Sequence, residues 1–423
     1  MKEFEGKKLL VLGGSYAEVG VVKIAQSLGC YVIATDQYTD SNLIPAKHAA
    51  NESWNISWTD YDTLEEKCRE VGVDGIIAGF SEFRVESMIE LCSRLSLPCY
   101  INLSQLEVTR DKNQFKKMCR KYGVPIVNEY TPDSPDIKFP VIIKPTDRGG
   151  SIGITVAYTP EEYTKSLEYA YSMSPSKSVV VEDFIGDGVK FDCSYYIEGD
   201  KVTLIETCDT TMLTKQKGYE TMQKAWTFPS RYESKYIEQV DSNVKAMLRD
   251  LGLQCGVANI SFFFRNDHFY VFETGFRLGG GHSYDYQRAS NGIDYLTCMI
   301  SYALGIPFSV NHDLSDNRGY AVTYNVYCKG PIGSVVRSVQ GEDVIKSMTE
   351  IVTYIPNLYP DYEIKSDKPV RIAMCTAHSN NLEVIFERVR MINKALKVET
   401  TEGIFPVFCE LTSEEIITAI NNM

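Results

Sequence analysis

A single lysine, Lys144, stands between a run of aliphatic residues and a glycine-rich segment. The stretch from residue 141 to 153 reads VIIKPTDRGGSIG. A lysine that leaves a buried strand is costly unless it meets an anion, and a loop with three glycines lets backbone N–H groups surround phosphate oxygens. The stretch therefore predicts a phosphate clamp, although a β-hairpin turn with an exposed lysine would give the same pattern. It is not a Walker A loop, because Lys144 precedes the glycines instead of following them.

A second apolar strand ends in acidic residues. Three valines lead into Glu182 and Asp183, and Phe184, Ile185 and Gly186 follow. The end of such a strand can offer backbone C=O and N–H groups to the edge of a purine while apolar side chains hold the ring. These residues are candidates for an adenine site, and an ordinary strand terminus is the alternative.

Glu273 and Arg277 lie four residues apart at the end of a third hydrophobic strand. The sequence from 257 to 282 reads VANISFFFRNDHFYVFETGFRLGGGH. A carboxylate there needs a partner, and Mg²⁺ held by one or two carboxylates and by substrate phosphates would supply one. A guanidinium in a glycine-rich loop suits a carboxylate or a developing oxyanion. The alternative is a structural ion pair between Glu273 and Arg277.

The composition is that of an ordinary globular protein and excludes several classes. With 423 residues, 44% hydrophobic and 23% charged, we expect two or three packed domains. No run approaches the roughly 18 apolar residues of a membrane span, and the N-terminus lacks a signal-peptide pattern, so a cytoplasmic protein is expected. The net charge of -13 argues against a nucleic-acid surface. Twelve cysteines without a CxxC pair and five scattered histidines indicate no zinc site.

The first hundred residues alternate strand and helix patterns. The predicted strands are 8–12, 30–34, 74–78 and 98–102, and the predicted helices end near 28 or span 60–71 and 82–95. Such a βαβ series predicts a parallel sheet with helices on both faces. Gly13, Gly14 and Asp36 invite a dinucleotide interpretation, but the glycines do not match GxGxxG, and tight strand-to-helix turns commonly contain glycine.

Further along the chain, strands dominate and helices separate them. After a helix ending near Gly123, we predict strands at 139–144 and 178–184 around a helix at 160–172, alternating strands at 190–228, a helix at 233–251, and antiparallel strands at 256–264 and 269–273. Beyond residue 311, strands near 319–327 and 370–376 and helices near 381–395 and 412–421 suggest a smaller α+β domain.

The order of these features is more specific than any one of them. A βαβ front, Asp111-Lys112, Lys144 with its glycine loop, Glu182-Asp-Phe-Ile, and Glu273 with Arg277 follow the order of the ATP-grasp superfamily. From residue 8 to about 310 the chain resembles its carboxylate–amine ligases, a group that is similar to biotin carboxylase, carbamoyl-phosphate synthetase, phosphoribosylglycinamide synthetase-like enzymes of the purine pathway and L-amino acid ligases. The resemblance implies an α/β and α+β fold with a Rossmann-like parallel sheet (1–108), a two-lobed ATP-grasp domain (109–310, lid lobe about 122–184) and a small C-terminal α+β domain (311–423).

The resemblance also assigns roles to residues by position. It implies that the ATP phosphates meet Lys112, Lys144, Gly149, Gly150, Ser151 and Gly153. It implies that the adenine meets Glu182, Asp183, Phe184 and Ile185, with Lys190 at the ribose position. It implies that Glu273 binds Mg²⁺, that Lys144 and Arg277 are catalytic, and that the substrate pocket contains Glu82, Arg277, Gly280 and His282. Glu82 could instead be a helix N-terminal acid beside Ser81, and His282 a surface histidine.

Three positions depart from the pattern of the superfamily. Ser261 stands where relatives usually carry a second Mg²⁺ glutamate, and Gly275 stands where they usually carry an asparagine. Lys190 replaces the expected ribose-contacting acid, for which Asp187 is a substitute. These departures leave open the number of metal ions and whether the chain turns over.

The resemblance implies an ADP-forming ligase that joins a small carboxylate to an amine through an acyl phosphate. ATP and Mg²⁺, or Mn²⁺ in its place, are the implied cofactors, and a homodimer without nucleic-acid or membrane partners is the implied assembly. A carboxylase that activates bicarbonate and a nucleotide-binding homologue without turnover are the alternatives. An NAD-dependent dehydrogenase ranks last.

Overall fold

A four-stranded parallel sheet forms the N-terminal part of the chain. The computed structural model describes residues 2–147, 152–186, 188–214, 219, 222–307 and 318–420. The strands, in the order β3-β2-β1-β4, are β1 (Lys8–Leu12), β2 (Tyr31–Thr35), β3 (Glu52–Trp54) and β4 (Gly75–Ile77). A 3₁₀ turn (Lys2–Phe4) precedes them, and the helices are α1 (Tyr16–Ser27), α2 (Pro45–Ala49), α3 (Tyr61–Val71) and α4 (Glu82–Leu95). The last four residues of β1 are buried, as expected for a sheet covered on both faces. The predicted parallel sheet is confirmed.

Residues 98–102, predicted as a strand, form none. The N–H of Leu97 donates to the carbonyl of Cys92 (2.9 Å) at the end of α4, and Pro98 has no N–H to give to a ladder. The apolar character of the segment serves the core through Tyr100 and Ile101, both buried. The chain then enters the next helix directly.

A small antiparallel sheet follows two helices. The elements are α5 (Leu103–Arg110), α6 (Lys112–Lys121), β5 (Glu129–Tyr130), β6 (Val141–Pro145), β7 (Thr155–Ala157), α7 (Pro160–Met173) and β8 (Val179–Asp183), with the strands in the order β5-β8-β6-β7. Their common core contains Val141, Ile143, Ala157, Ala170 and Val181. Lys144 and Glu182 lie on the two central strands of this sheet.

A large antiparallel sheet holds the remaining candidate residues. Its first part consists of β9 (Val189–Glu198), β10 (Lys201–Met212), β11 (Gln223–Phe228), α8 (Glu233–Tyr236), α9 (Ser242–Leu251), β12 (Cys255–Arg265), β13 (His268–Gly275), α10 (Ser283–Asn291) and α11 (Tyr295–Ala303). The predicted single helix at 233–251 is interrupted by a π-helical turn, Ile237–Asp241. Asp241 is buried there and accepts hydrogen bonds from Tyr195 (2.8 Å) and Lys245 (2.7 Å).

The large sheet continues into the C-terminal part of the chain. Its elements are β14 (Tyr320–Cys328), β15 (Val336–Gln340), α12 (Glu342–Lys346), β16 (Ile351–Pro356), β17 (Val370–Ser379), α13 (Leu382–Ala395), β18 (Lys397–Thr400), β19 (Gly403–Pro406) and α14 (Ser413–Ile420). The eight-stranded order is β13-β12-β9-β10-β11-β14-β17-β16, while β15-β18-β19 forms a separate sheet. The pairing of β11 with β14 therefore carries the sheet across residue 311, and the predicted domain limits remain predictions.

The described helices include none that is both long enough and apolar enough to span a membrane. All twelve cysteines are free, and ten of them are buried. The ten buried cysteines pack as small hydrophobic residues.

Candidate functional site

Two lysines share one buried carboxylate at the centre of the small sheet. Lys144 Nζ lies 2.7 Å from Glu182 Oε2. Lys116, on α6, forms an ion pair with the other oxygen of Glu182, and its Nζ also lies 2.7 Å from Glu129 Oε1. Lys116, Lys144 and Glu182 are 2%, 7% and 1% exposed. Burial disfavours the charged carboxylate, but the two lysines outweigh it and lower the pKa of Glu182. Lys144 is therefore not the exposed lysine of a hairpin turn.

Lys112 begins α6 one turn before Lys116, and so lies on the same face of the helix. The side chain of Asp111 caps this helix by accepting from the N–H of Asn113 (2.8 Å). Burial lowers the pKa of Lys112, the charge of Lys144 lowers it further, and Glu273 raises it. The fold thus brings Lys112, Lys144 and Glu273 into one electrostatic environment from three different elements.

The glycine loop after β6 is described only in part. Gly149, Gly150 and Ser151 lie outside the described residues. Gly153 has φ +76°, and a Cβ there would lie 2.7 Å from Pro145 and 2.8 Å from Met173. Both its backbone conformation and its close packing require glycine at this position.

The strand end after Glu182 borders a cavity of about 530 Å³. Asp183 and Ile185 line it, and Asp183 accepts a hydrogen bond from Tyr130 (2.7 Å). The N–H groups of Asp183 and Phe184 donate to the carbonyls of Asn128 and Pro140, each at 3.1 Å. These N–H groups are used within the protein, so any contact of these two residues with a ligand must use other atoms.

A second cavity, of about 220 Å³, lies among β9–β13 and the glycine-rich loop before α10. We call it the inner cavity. Its walls include Lys190, Asp192, Glu206, Ser261, Glu273, Arg277 and Gly280. Predicted metal, ribose and substrate residues therefore meet in one space, although 83 residues separate Lys190 from Glu273 in the sequence.

Arg277 is paired with Glu82 and not with Glu273. Its Nε lies 2.6 Å from Glu82 Oε1 across the junction between the large sheet and α4. A Cβ at Gly275 would lie 3.5 Å from the same oxygen, so the Glu82–Arg277 pair lies close against Gly275. The alternative of a Glu273–Arg277 ion pair is wrong. Glu82 does begin α4, where the helix dipole also favours its charge.

His282 is a buried residue and not the surface histidine of the alternative interpretation. It is 4% exposed, its ring stacks on Phe80 with a centroid distance of 4.7 Å, and its Nδ1 lies 2.9 Å from the hydroxyl of Tyr284. Burial, helped by Arg371, lowers the pKa of His282 to about 3. A neutral imidazole at physiological pH follows, and its neighbours Gly281 and Ser283 line the inner cavity.

Asp192 was not identified from the sequence. It is the cross-strand partner of Ser261, which is in turn the partner of Glu273. The hydroxyl of Ser261 donates to Asp192 Oδ1, Thr210 donates to Oδ2 (2.6 Å), and Lys190 Nζ lies 3.6 Å from Oδ2. A carboxylate therefore stands one strand away from the position where relatives usually have their second glutamate.

Lys116 and Glu206 were also missed. The spacing of Lys112 and Lys116 on one helix face was a usable signal, because residues four apart are neighbours. Glu206 and Asp192 lie in strands of alternating polarity, where only the strand register shows which polar residues meet. Among the residues that the structure describes, no group of three or more His, Cys, Asp or Glu side chains is arranged to hold a metal ion by itself.

The sequence has identifiable relatives. A family model described as "D-ala D-ala ligase C-terminus" matches residues 95–275. Formate-dependent phosphoribosylglycinamide formyltransferase of Trichormus variabilis is 27% identical over 272 residues, covering 62% of this chain and 67% of the relative. The carbamoyl phosphate synthase large chain of Thermotoga neapolitana is 21% identical over 215 residues, covering 49% of this chain but 18% of the relative.

Solved structures are similar along nearly the whole chain. An L-amino acid ligase from Bacillus licheniformis has a TM-score of 0.74 at 17% identity, covering 93% of this chain and 98% of its own. A biotin carboxylase from Campylobacter jejuni has a TM-score of 0.78 at 15% identity, covering 98% and 96%. At these identities the similarity concerns the fold, and it confirms the predicted α/β and α+β architecture.

Proposed function

We propose that this chain, which belongs to the ATP-grasp superfamily of carboxylate–amine ligases, activates a small carboxylate with ATP and joins it to an amine. The observation that carries the proposal is the convergence of buried Lys144 and of Lys112 on the same environment as Glu273. Glu273 in turn lines the inner cavity together with Arg277. Lys112 and Lys144, which we assign to the phosphates, thus adjoin the inner cavity, in which we assign Arg277 to the substrate carboxylate.

The nucleotide would lie between the small sheet and the large sheet. We assign the phosphates to Lys112, Lys144 and the glycine loop with Gly149, Gly150, Ser151 and Gly153. We assign the adenine to the strand end at Glu182–Ile185 and the ribose to the region of Lys190. The ion pairs of Glu182 suggest a further role, because its carboxylate fixes the Lys144 ammonium in place.

In the first step a carboxylate oxygen of the substrate attacks the γ-phosphorus of ATP. The bond between that phosphorus and the oxygen bridging to the β-phosphate breaks, and ADP leaves. In the second step the amine nitrogen attacks the acyl carbon, the bond from that carbon to the phosphate oxygen breaks, and the nitrogen loses a proton. Lys144 and Arg277 act by neutralising charge on the transferred phosphoryl group and on the acyl oxygen.

Magnesium fits the donor atoms on the sheet. Glu273 is exposed and Asp192 is half-buried, and the cross-strand pairs through Ser261 align both on one face of the sheet. Carboxylate and hydroxyl oxygens are hard ligands suited to Mg²⁺, which commonly takes one or two carboxylates together with substrate phosphates. We propose that Glu273 and Asp192 hold Mg²⁺, or Mn²⁺ in its place, which would neutralise phosphate charge when bound.

Asp192→Asn should weaken the binding of Mn²⁺ to the protein–ADP complex about tenfold, because one charged ligand is lost. Electron paramagnetic resonance of free Mn²⁺ measures this without turnover. A glutamate at the serine position, Ser261→Glu in the Asp192→Asn background, should restore the affinity. Unchanged Mn²⁺ affinity in the single variant would remove Asp192 from the metal site.

The proposed function is tested by incubating the protein with MgATP and pooled carboxylic acids and amines, with and without bicarbonate. ADP and phosphate released only when an acid and an amine are both present would support the ligase. ADP release that depends on bicarbonate alone would support the carboxylase alternative. Tight MgATP binding without release under any condition would support a homologue that has lost turnover.

Two finer assignments accompany this proposal. We propose a location in the cytoplasm, where ATP and small-molecule substrates are available, and we propose no nucleic-acid or membrane partner. A homodimer remains a prediction, and light scattering at several protein concentrations would test it.

A further inference from the structure

Glu206 on β10 is a buried carboxylate without a cation beside it. It is 8% exposed. Within the described ranges, the other buried carboxylates each have a lysine or arginine nearby: Glu18 (Arg84), Asp36 (Lys47), Glu182 (Lys116, Lys144), Asp209 (Arg231) and Asp241 (Lys245). The neighbours that act on Glu206 are the neutral side chains Gln287, Ser194 and Ser283 and the acidic Asp192. Burial without a counter-charge raises the pKa of Glu206, and no lysine or arginine of the described residues forms an ion pair with its carboxylate.

The carboxylate of Glu206 is held firmly in place. Gln287 Nε2 on α10 donates to its Oε2 at 2.6 Å. The Gln287 amide is oriented in turn by Asn291, whose Nδ2 lies 2.5 Å from Gln287 Oε1 and 3.1 Å from the carbonyl of Ile205. A chain of amides thus fixes the direction of the carboxylate before any ligand arrives.

A second acceptor lies beside the first. Ser194 Oγ is 2.9 Å from Glu206 Oε1 and 3.0 Å from Asn259 Oδ1. One hydroxyl has a single proton, so Ser194 cannot donate to both oxygens at once. The Asn259 amide cannot turn to help, because its Nδ2 donates to the Arg277 carbonyl at 2.7 Å. Two oxygens, one of them on the carboxyl group that lacks a counter-charge, therefore compete for one neutral donor.

Both acceptors line the inner cavity together with Arg277. The same cavity thus offers a guanidinium for an anion and, on another wall, an unpaired carboxylate with an adjacent amide oxygen. Asp192 is not the partner of the ammonium, because we assign it to the metal and Lys190 Nζ already lies 3.6 Å from its Oδ2. A primary ammonium carries a positive charge and three N–H donors. It would supply the counter-charge that Glu206 lacks and a separate donor for the amide oxygen of Asn259.

We propose that Glu206 and Asn259 bind the ammonium group of an amino-acid substrate within the inner cavity. The inference rests on the proposed function and narrows its substrate from any small carboxylic acid to one that also carries a primary ammonium group. Arg277 then faces the carboxylate of this substrate, and Glu206 selects against acids of the same shape without nitrogen. Desolvated charge pairs make such discrimination strong, because an acid without the ammonium leaves Glu206 unpaired.

The test compares the common L-amino acids with their deaminated counterparts, such as propionate for L-alanine and 4-methylvalerate for L-leucine. Binding in the presence of MgADP is measured by titration calorimetry, and ADP release from MgATP is measured separately. We expect binding of one or more amino acids and none of the matching deaminated acids. Glu206→Gln should weaken amino-acid binding roughly 10- to 100-fold and leave MgADP binding unchanged.

Asp209→Asn is the matched control, because Asp209 is another buried carboxylate on the same strand but has its own cation, with Arg231 Nε at 3.0 Å. It should leave amino-acid binding unchanged. Equal binding of an amino acid and its deaminated counterpart, or unaltered binding in Glu206→Gln, would overturn the inference. Glu206-dependent amino-acid binding without any ADP release would uphold the inference while refuting the proposed ligase. ADP release driven equally by amino acids and by simple acids would refute the inference while upholding the proposed ligase.

Discussion

Replacing Lys144 by methionine is expected to reduce ADP release by about 10³-fold or more. The lysine is buried and is assigned to the phosphates in the proposed mechanism, and positioning with charge neutralisation is nearly all that a protein contributes to phosphoryl transfer. Methionine keeps much of the volume of lysine but carries no charge. The measurement is the initial rate of ADP formation with saturating substrates, compared with the wild-type rate.

The fold should survive this substitution, because Glu182 keeps its ion pair with Lys116. The loss of stability should therefore remain below the roughly 3–5 kcal/mol that follows when a buried charge loses its only partner. Urea unfolding followed by circular dichroism checks this point. Lys117→Met, at an exposed position of α6 next to Lys116, is the control and should retain the full rate. A Lys144→Met protein that is folded and turns over at a near-normal rate would refute the assignment.

Arg277→Met is expected to lower kcat by about 10²–10³-fold while MgATP binding stays unchanged. Arg277 reaches the inner cavity from the loop after β13 and, in the proposed mechanism, stabilises the acyl oxygen, where the loss of one charged donor typically has this effect. Glu82 is left without its partner, but it is about one-third exposed and begins a helix, so its charge is tolerated. Rapid-quench measurement of the chemical step and nucleotide titration separate the two quantities.

Arg288→Met provides the matched control. Arg288 lies on α10, the helix that follows the glycine-rich loop of the inner cavity in the sequence. Its side chain, however, is 51% exposed and pairs with Asp285. We expect the wild-type rate for this variant. If Arg277→Met weakened MgATP binding and left kcat intact, the arginine would belong to the nucleotide site and the carboxylate assignment would be wrong.

Much of the architecture follows from local patterns in the sequence. The alternation of strand and helix signals predicted the parallel sheet, and the limits predicted for one helix, 82–95, are those of α4. The exception at 98–102 shows the limit of such patterns. Apolar residues such as Tyr100 and Ile101 enter a core whether or not their backbone joins a ladder, and Pro98 tips the balance against the strand.

The chemical character of the site was also readable from the chain. A lysine on an aliphatic strand, acids at a strand end, and an arginine among glycines each signal a charge where burial is expected, and the structure puts Lys144 and Glu182 in contact. The ion-pair partners of these charged residues were much harder to predict from the sequence. Arg277 pairs with Glu82, 195 residues away, and not with the nearby Glu273.

The sequence by itself thus indicated some of the charged residues that enter the interior, such as Lys144 and Glu182, and most of the strands and helices, because these properties depend on residue type and on spacing within one element. The tertiary structure alone decided which charges meet. Strand register aligned Asp192 with Ser261 and Glu273, and helix packing set Lys116 against Glu182. The same long-range packing left Glu206 without a cation, because counter-charges come from elements that are distant in sequence and no local pattern specifies their approach.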